Sequence, residues 1–280
     1  MECKKVQKTF IVGQEWLYYK IYCGVKTADA LLLEIIKPLT EKLIENKIID
    51  TWFFIRYSDP DPHLRVRFHL LDLNAIGSVL IKVKTLLNPY FDNKQIWDMQ
   101  LATYQRELER YGANTISEAE AFFFYDSKII LSIMSNTKDD EARFLMLFNW
   151  LENIINLFEF EDKRLISFMD KMQKQFKNEF EVTKTVRKEL STKYRKLESK
   201  LLTEKRFKFS NKNNLKQIVE GFLILEKEQK ATIFLEDLLA SFIHMSINRG
   251  FRSNQRLYEM MLYDFLYRKN KSKYIRYGML

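Results

Sequence analysis

Glycine and proline are scarce in this chain, 7 and 4 among 280 residues, against 22 phenylalanines and 14 tyrosines. So little punctuation implies long helices or strands with short connections. Cysteine and histidine are scarcer still. Cys3 and Cys23 lack the spacing of a metal site, and with only His63, His69 and His244 beside them the chain is not expected to build a zinc centre. Charges interrupt every apolar segment before it reaches the roughly 18 residues of a membrane span, as Glu34 and Lys37 do within residues 31–39. The basic start is followed by no apolar stretch before Gln14 and Glu15, so no secretory signal is indicated and a reducing cytoplasm is expected.

What is present suits a folded chain. Hydrophobic residues make up 46% and aromatics 14%, enough to bury one large core or two small ones. The net charge of +9 fits either an anionic partner or a lysine-rich composition without one. The most basic segment, residues 184–208, carries only Tyr194 and Phe207 as aromatics. That favours a solvated helix face over a single-strand nucleic-acid reader.

The two parts of the chain follow different patterns. Up to about residue 105, strand-like segments at 15–23, 51–57, 63–70 and 96–104 alternate with helices at 27–46, capped by Thr27, and 74–87. The order is βαββαβ, the split-βαβ or ferredoxin-like arrangement. From Ser117, which forms a capping box with Glu120, the pattern turns helical, with further helices at 139–157, 164–176, 183–202, 214–225, 234–249 and 255–268. The expected class is α+β: a sheet layer over residues 1–112 packed against a helical part over 113–280, one domain in all.

Four places carry candidate chemistry. In Asp59-Pro60-Asp61-Pro62-His63-Leu64-Arg65-Val66-Arg67-Phe68 the prolines stiffen the turn. Beyond it, the period of two puts Arg65, Arg67 and His69 on one face and Leu64, Val66 and Phe68 on the other. That face is either solvated or an anion site. In residues 104–112, a helical turn makes Glu107 and Arg110 neighbours, as a surface ion pair or as an oriented guanidinium. Asp126, alone in an aromatic run, reads as buried and paired. His244 lies mid-helix among apolar residues, as a satisfied core histidine or a catalytic one.

In this order and spacing, the segments resemble the C-terminal glutamate-elimination domain of lantibiotic dehydratases, a family also called thiopeptide-type bacteriocin biosynthesis proteins. The resemblance runs through Glu15-Trp16-Leu17-Tyr18-Tyr19-Lys20, Trp52-Phe53-Phe54-Ile55-Arg56-Tyr57, the Asp59 and His63 segments, residues 104–112, and Glu118, Glu120, Phe122, Asp126 and Ser127. It closes on His244-Met245 and Asn248-Arg249. It implies β-elimination of glutamate from O-glutamylated Ser or Thr of a precursor peptide, leaving dehydroalanine or dehydrobutyrine. A separate protein would add the glutamate from glutamyl-tRNA.

The family's functional residues carry over to Arg65, Arg67, Glu107, Arg110 and His244. On that resemblance the three arginines face the glutamyl group and the developing negative charge, Glu107 orients Arg110, and His244 transfers a proton. No cofactor, metal or direct nucleic-acid contact is implied. Two alternatives remain at this point: a pyridine-forming cycloaddition enzyme on the same fold, and a non-catalytic module binding a leader peptide or tRNA.

Overall fold

After the two-residue strand Thr9–Phe10 (β1), the segment Trp16–Cys23 (β2) is buried along its whole length except for half-buried Lys20. A strand apolar on both sides belongs inside a sheet covered on both faces. β2 is accordingly central. Ile49–Ser58 (β3), Pro62–Leu70 (β4) and Ile96–Leu101 (β5) complete a sheet of order β3-β4-β2-β5, every neighbouring pair antiparallel. The computed structural model describes residues 6–203 and 212–277; Cys3 and the end of the basic segment, residues 204–208, lie outside them.

Between β2 and β3 runs a continuous helix: Val25–Ala30 (α1), a π-helical stretch Leu31–Ile36, then Lys37–Glu45 (α2). Pro38 lacks an N–H and its ring crowds the carbonyl four residues back, and the wider π turns before it relieve both. The expected Thr27 cap is absent, since the helix starts at Val25 behind Gly24. Leu73–Ala75, a short 3₁₀ turn, and Ile76–Asp92 (α3) connect β4 to β5. Arg56 donates to Asp29 Oδ1 of α1 at 2.5 Å, which marks its side of the sheet as the helix-covered one. Leu17, Tyr19, Ile21, Phe54, Leu64, Val66 and Phe68 share that side and are buried, each contributing about 1.5–3 kcal/mol.

The expected last strand is in fact two. After Leu101 the chain leaves the sheet, and Tyr104–Gln105 (β6) pairs with β1 instead. Tyr104 is drawn there by its rings, packing against Phe10, Trp16 and Phe53 at 6.0, 5.2 and 6.1 Å between centroids. One helical turn, Leu108–Tyr111 (α4), follows.

The remainder is helical: Ile116–Asn136 (α5), Asp140–Leu157 (α6), Asp162–Glu179 (α7), Lys184–Thr203 (α8), Lys212–Lys227 (α9), Leu235–Gly250 (α10) and Gln255–Tyr277 (α11). The Ser117–Glu120 capping box does not form. Thr115 is the N-cap residue, and Glu120 is taken by Arg106, which donates through Nε at 2.7 Å and through Nη2 at 2.6 Å. Helix α8 buries Leu190, Tyr194, Leu197 and Leu201, one stripe at helical spacing, leaving its described basic residues on the outer side.

Helices α5 and α10 pack on β3. Their register is set by a buried ion pair: Arg249 donates to Asp126 Oδ2 at 2.7 Å with both side chains wholly enclosed. Trp150 Nε1 and Ser246 Oγ donate to Asp126 Oδ1 at 2.7 and 2.6 Å, and Arg249 Nε donates to the Phe54 carbonyl at 2.7 Å. The expectation of a buried, paired Asp126 therefore holds. The three donors to Asp126 are what make the enclosed pair tolerable, because desolvation otherwise exceeds the attraction; Arg249 Nη2 is left without a hydrogen-bond partner among the described residues.

Candidate active site

The sheet face opposite α1 and α2 carries three cross-strand rows: Tyr18, Arg67 and Phe53; Lys20, Arg65 and Ile55; Tyr22, His63 and Tyr57. Arg67 is 7% exposed. Its guanidinium lies over the rings of Tyr18, Tyr104 and Phe53 at 4.3, 4.7 and 5.2 Å. Burial pushes the Tyr18 phenol up against the opposing pull of Arg67 and Arg65, and burial raises Tyr104 further, so the box stays neutral. Arg67 Nε is buried without a hydrogen-bond partner, and no carboxylate pairs with Arg67 among the described residues. A buried cation held only by π faces is incompletely satisfied.

Arg65 stands two residues along, on the same face but in another setting. Its guanidinium stacks on Tyr57 at 3.4 Å, and Nε donates to His63 Nε2 at 3.1 Å. His63 can accept there because its Nδ1 faces the Asp61 carbonyl at 2.8 Å, which leaves Nε2 unprotonated in the neutral ring. Burial holds the His63 imidazole below its ordinary value, and the nearby Arg65 and Lys20 add to that. His69, the third group of the expected face, turns to Asp50 at 2.8 Å near the surface.

The turn α4 brings the second pair. Arg110 Nη1 is 3.6 Å from Glu107 Oε2, at the i,i+3 spacing expected, and its Nε donates to Ser241 Oγ of α10 at 3.0 Å. Gly112 ends the turn with φ +79; an added Cβ would meet Thr115 Oγ1 at 2.5 Å and Thr232 Oγ1 at 2.7 Å. Only glycine closes this turn without strain, and the closure keeps Arg110 within reach of α10.

On α10, Ser241, Met245 and Asn248 recur at helical spacing, with His244 beside them. His244 Nδ1 lies 2.9 Å from Oε2 of Glu259 on α11, and Arg256 Nη1 donates to the same oxygen at 3.0 Å. The histidine side chain is 30% exposed and that of Glu259 only 3%. The ring is therefore anchored at one nitrogen and open at its side, unlike a fully enclosed core histidine.

Arg67, Glu107, Tyr104, Phe53, Ile55 and Met245 line one cavity of about 30 Å³, little more than the share of one water. This brings β4, α4 and α10 together at Arg67. Arg65 does not line it. A roomier cleft of about 470 Å³ lies further along β4, between the Asp59 turn and the α10–α11 corner, with Tyr57, His63, Asn248 and Arg252 in its walls. The guanidinium groups there are already committed, Arg56 and Arg252 both donating to Asp29 at 2.5 and 2.6 Å, whereas Arg67 in the small cavity has no carboxylate paired with it among the described residues. Among the described residues no group of three or more His, Cys, Asp or Glu side chains is placed to hold a metal ion.

Sequence reasoning missed Tyr18 and Tyr104 as walls of the box, and it missed Glu259. A signal for Glu259 was available: an acid between Tyr258 and Met260-Met261-Leu262-Tyr263 is as anomalous as Asp126 in its aromatic run.

A profile of the family described as lantibiotic biosynthesis dehydratase C-term matches residues 16–269, nearly the whole span over which these elements assemble. The chain belongs to this family. It is 27% identical to the nisin biosynthesis protein NisB of Lactococcus lactis over 245 residues, which are 84% of this chain and 23% of NisB. The chain spans about a quarter of the length of the curated relatives it matches. By fold, it resembles the tRNA-dependent lantibiotic dehydratase MibB from Microbispora sp. 107891, with a TM-score of 0.71, 20% identity and coverage of 96% of this chain and 29% of that one. It also resembles the pyridine synthase TbtD from thiomuracin biosynthesis, with a TM-score of 0.66, 9% identity and coverage of 94% and 100%. Among the described residues no helix is long and apolar enough to cross a membrane.

Proposed function

We propose that residues 1–280 form one elimination unit that expels glutamate from O-glutamylated Ser or Thr of a ribosomal precursor peptide, leaving dehydroalanine or dehydrobutyrine. The observation that carries this reading is Arg67: a buried guanidinium with Nε unpartnered, sharing a cavity with Glu107 yet forming no ion pair among the described residues. Membership of the dehydratase family supplies the context in which that anion is a glutamyl carboxylate. The strand order β3-β4-β2-β5 with helical crossovers supports reading the sheet layer as ferredoxin-like.

In the reaction a base removes the Cα proton, that electron pair forms the Cα=Cβ bond, and the Cβ–O bond breaks as glutamate leaves with its pair as a carboxylate. Charge develops on the peptide carbonyl and on the leaving group. Arg67, Arg65 and Arg110 serve these two places, since a guanidinium stays cationic and can grip a carboxylate through two N–H groups. Glu107 orients Arg110, and His244 moves the proton. A tRNA-dependent glutamylating partner supplies the substrate, which places the reaction in the cytoplasm.

The test is incubation with a glutamylated precursor peptide while its mass is followed. Loss of glutamate, giving a net loss of one water per site relative to the unmodified peptide, is the expected result; no loss from any cognate glutamylated peptide would sink the reading. One observation keeps pyridine formation as a second reading: the fold is shared with the pyridine synthase TbtD, at a TM-score of 0.66. A peptide already carrying dehydroalanines, consumed to a pyridine ring, would establish it.

A further inference from the structure

We propose that Glu259 is a positioning residue that commits His244 to exchange its proton at Nε2. The inference rests on the elimination reading for its kinetic consequence, and on geometry alone for its chemical one. Glu259 is 2% exposed, so its carboxylate requires compensation for lost water. Its Oε2 is given two donors, His244 Nδ1 at 2.9 Å and Arg256 Nη1 at 3.0 Å. Arg256 is held in its turn by Glu179 of α7, with Nη2 2.5 Å from Oε2, and by the Phe176 ring at 4.4 Å. The carboxylate beside His244 is thus fixed from behind by a chain that reaches α7.

A carboxylate flanked by a guanidinium accepts hydrogen bonds and donates none. The nitrogen facing it must carry hydrogen, whether the imidazole is neutral or cationic. The proton that comes and goes is then the one on Nε2, which has no protein partner among the described residues. Of the charged groups on elements packed against α10, Arg56 on β3 and Arg143 on α6 are committed to Asp29, Asp126 on α5 to Arg249, Arg110 on α4 to Glu107, and Glu226 on α9 to Arg164. Among the described residues the ring's hydrogen-bond partner is Glu259. In the elimination step, Nε2 takes the Cα proton as glutamate leaves, and then passes it to water.

Two measurements on the full chain decide the matter. In ¹⁵N-histidine NMR of the free protein, at a pH where the ring is neutral, His244 should carry its hydrogen on Nδ1. The Glu259→Gln carboxamide both accepts and donates, so that variant should populate both tautomers. A wild-type ring protonated on Nε2, or an unchanged distribution in the variant, overturns the proposal. With glutamylated peptide, Glu259→Gln should lower kcat by about 10² or more, up to the roughly 10⁴ seen when a triad histidine loses its orienting carboxylate, with KM within about threefold, and Glu259→Asp should recover part of the loss. An unchanged kcat also overturns it. Should Glu259→Gln not fold, the wild-type tautomer still decides. Should the wild type eliminate nothing, the proposed function fails while the NMR result still reads the role of Glu259.

Discussion

The side-chain amide of Asn248 holds both backbone groups of Arg56, donating to its carbonyl and accepting from its N–H, each at 2.9 Å. Arg249 and Ser127 take the carbonyl and N–H of Phe54 in the same way. These are the outward groups of the edge strand β3, which would otherwise invite another strand. Asn248→Asp keeps the shape but cannot donate to the Arg56 carbonyl. Thermal unfolding should register a loss of about 1–3 kcal/mol, with slower elimination because α10 carries Ser241 and His244.

Replacing Arg67 by Lys separates charge from shape. The ammonium retains the charge but not the flat group that three rings enclose. Elimination should fall by about 10²–10³ with unchanged circular dichroism, and glutamylated peptide should accumulate. Equal turnover would retire Arg67 from the site.

Glu107 and Arg110 should show opposite sensitivities in stability and in activity. Their side chains are 63% and 37% exposed and 3.6 Å apart, so Glu107→Gln should change stability by under about 1 kcal/mol. If Glu107 orients Arg110, elimination should nonetheless slow at least tenfold. A denaturation curve and a single-turnover assay on one sample check both.

Acidification should weaken the sheet face through His63. Burial first of all, then Arg65 and Lys20, hold its imidazole below 6.5, with the bond to the Asp61 carbonyl opposing. As pH falls, the unfolded chain takes the proton first, so the stabilisation is present above 6.5 and is lost through the lower folded value. The unfolding midpoint should drop between about pH 7 and pH 5. His63→Gln, which can accept from Arg65 without titrating, should drop less; an identical slope would remove His63 as the cause.

Asp126→Asn leaves the enclosed Arg249 without its counter-charge. A loss of about 3–5 kcal/mol is expected, measured as a lower denaturant midpoint, together with impaired elimination as α10 shifts on β3.

Where a signal is local, the sequence was readable. Alternation along β4 placed Arg65 and Arg67 on one face, and the i,i+3 spacing paired Glu107 with Arg110. Where a distant residue outbids the local one, it was not. Glu120 left its capping box for Arg106, and Tyr104 left the last strand for Phe10 and Trp16. The ring box around Arg67 and the Glu259 contact to His244 join segments far apart in the chain, and spacing within one segment carries no trace of them.

The Arg67 box also settles how the site presents itself to solvent ions. Three π faces restrain the guanidinium without neutralising it, and mobile salt screens a buried charge far less than an exposed one. The field reaching into the small cavity therefore persists at ionic strengths that erase the chain's diffuse excess of positive charge.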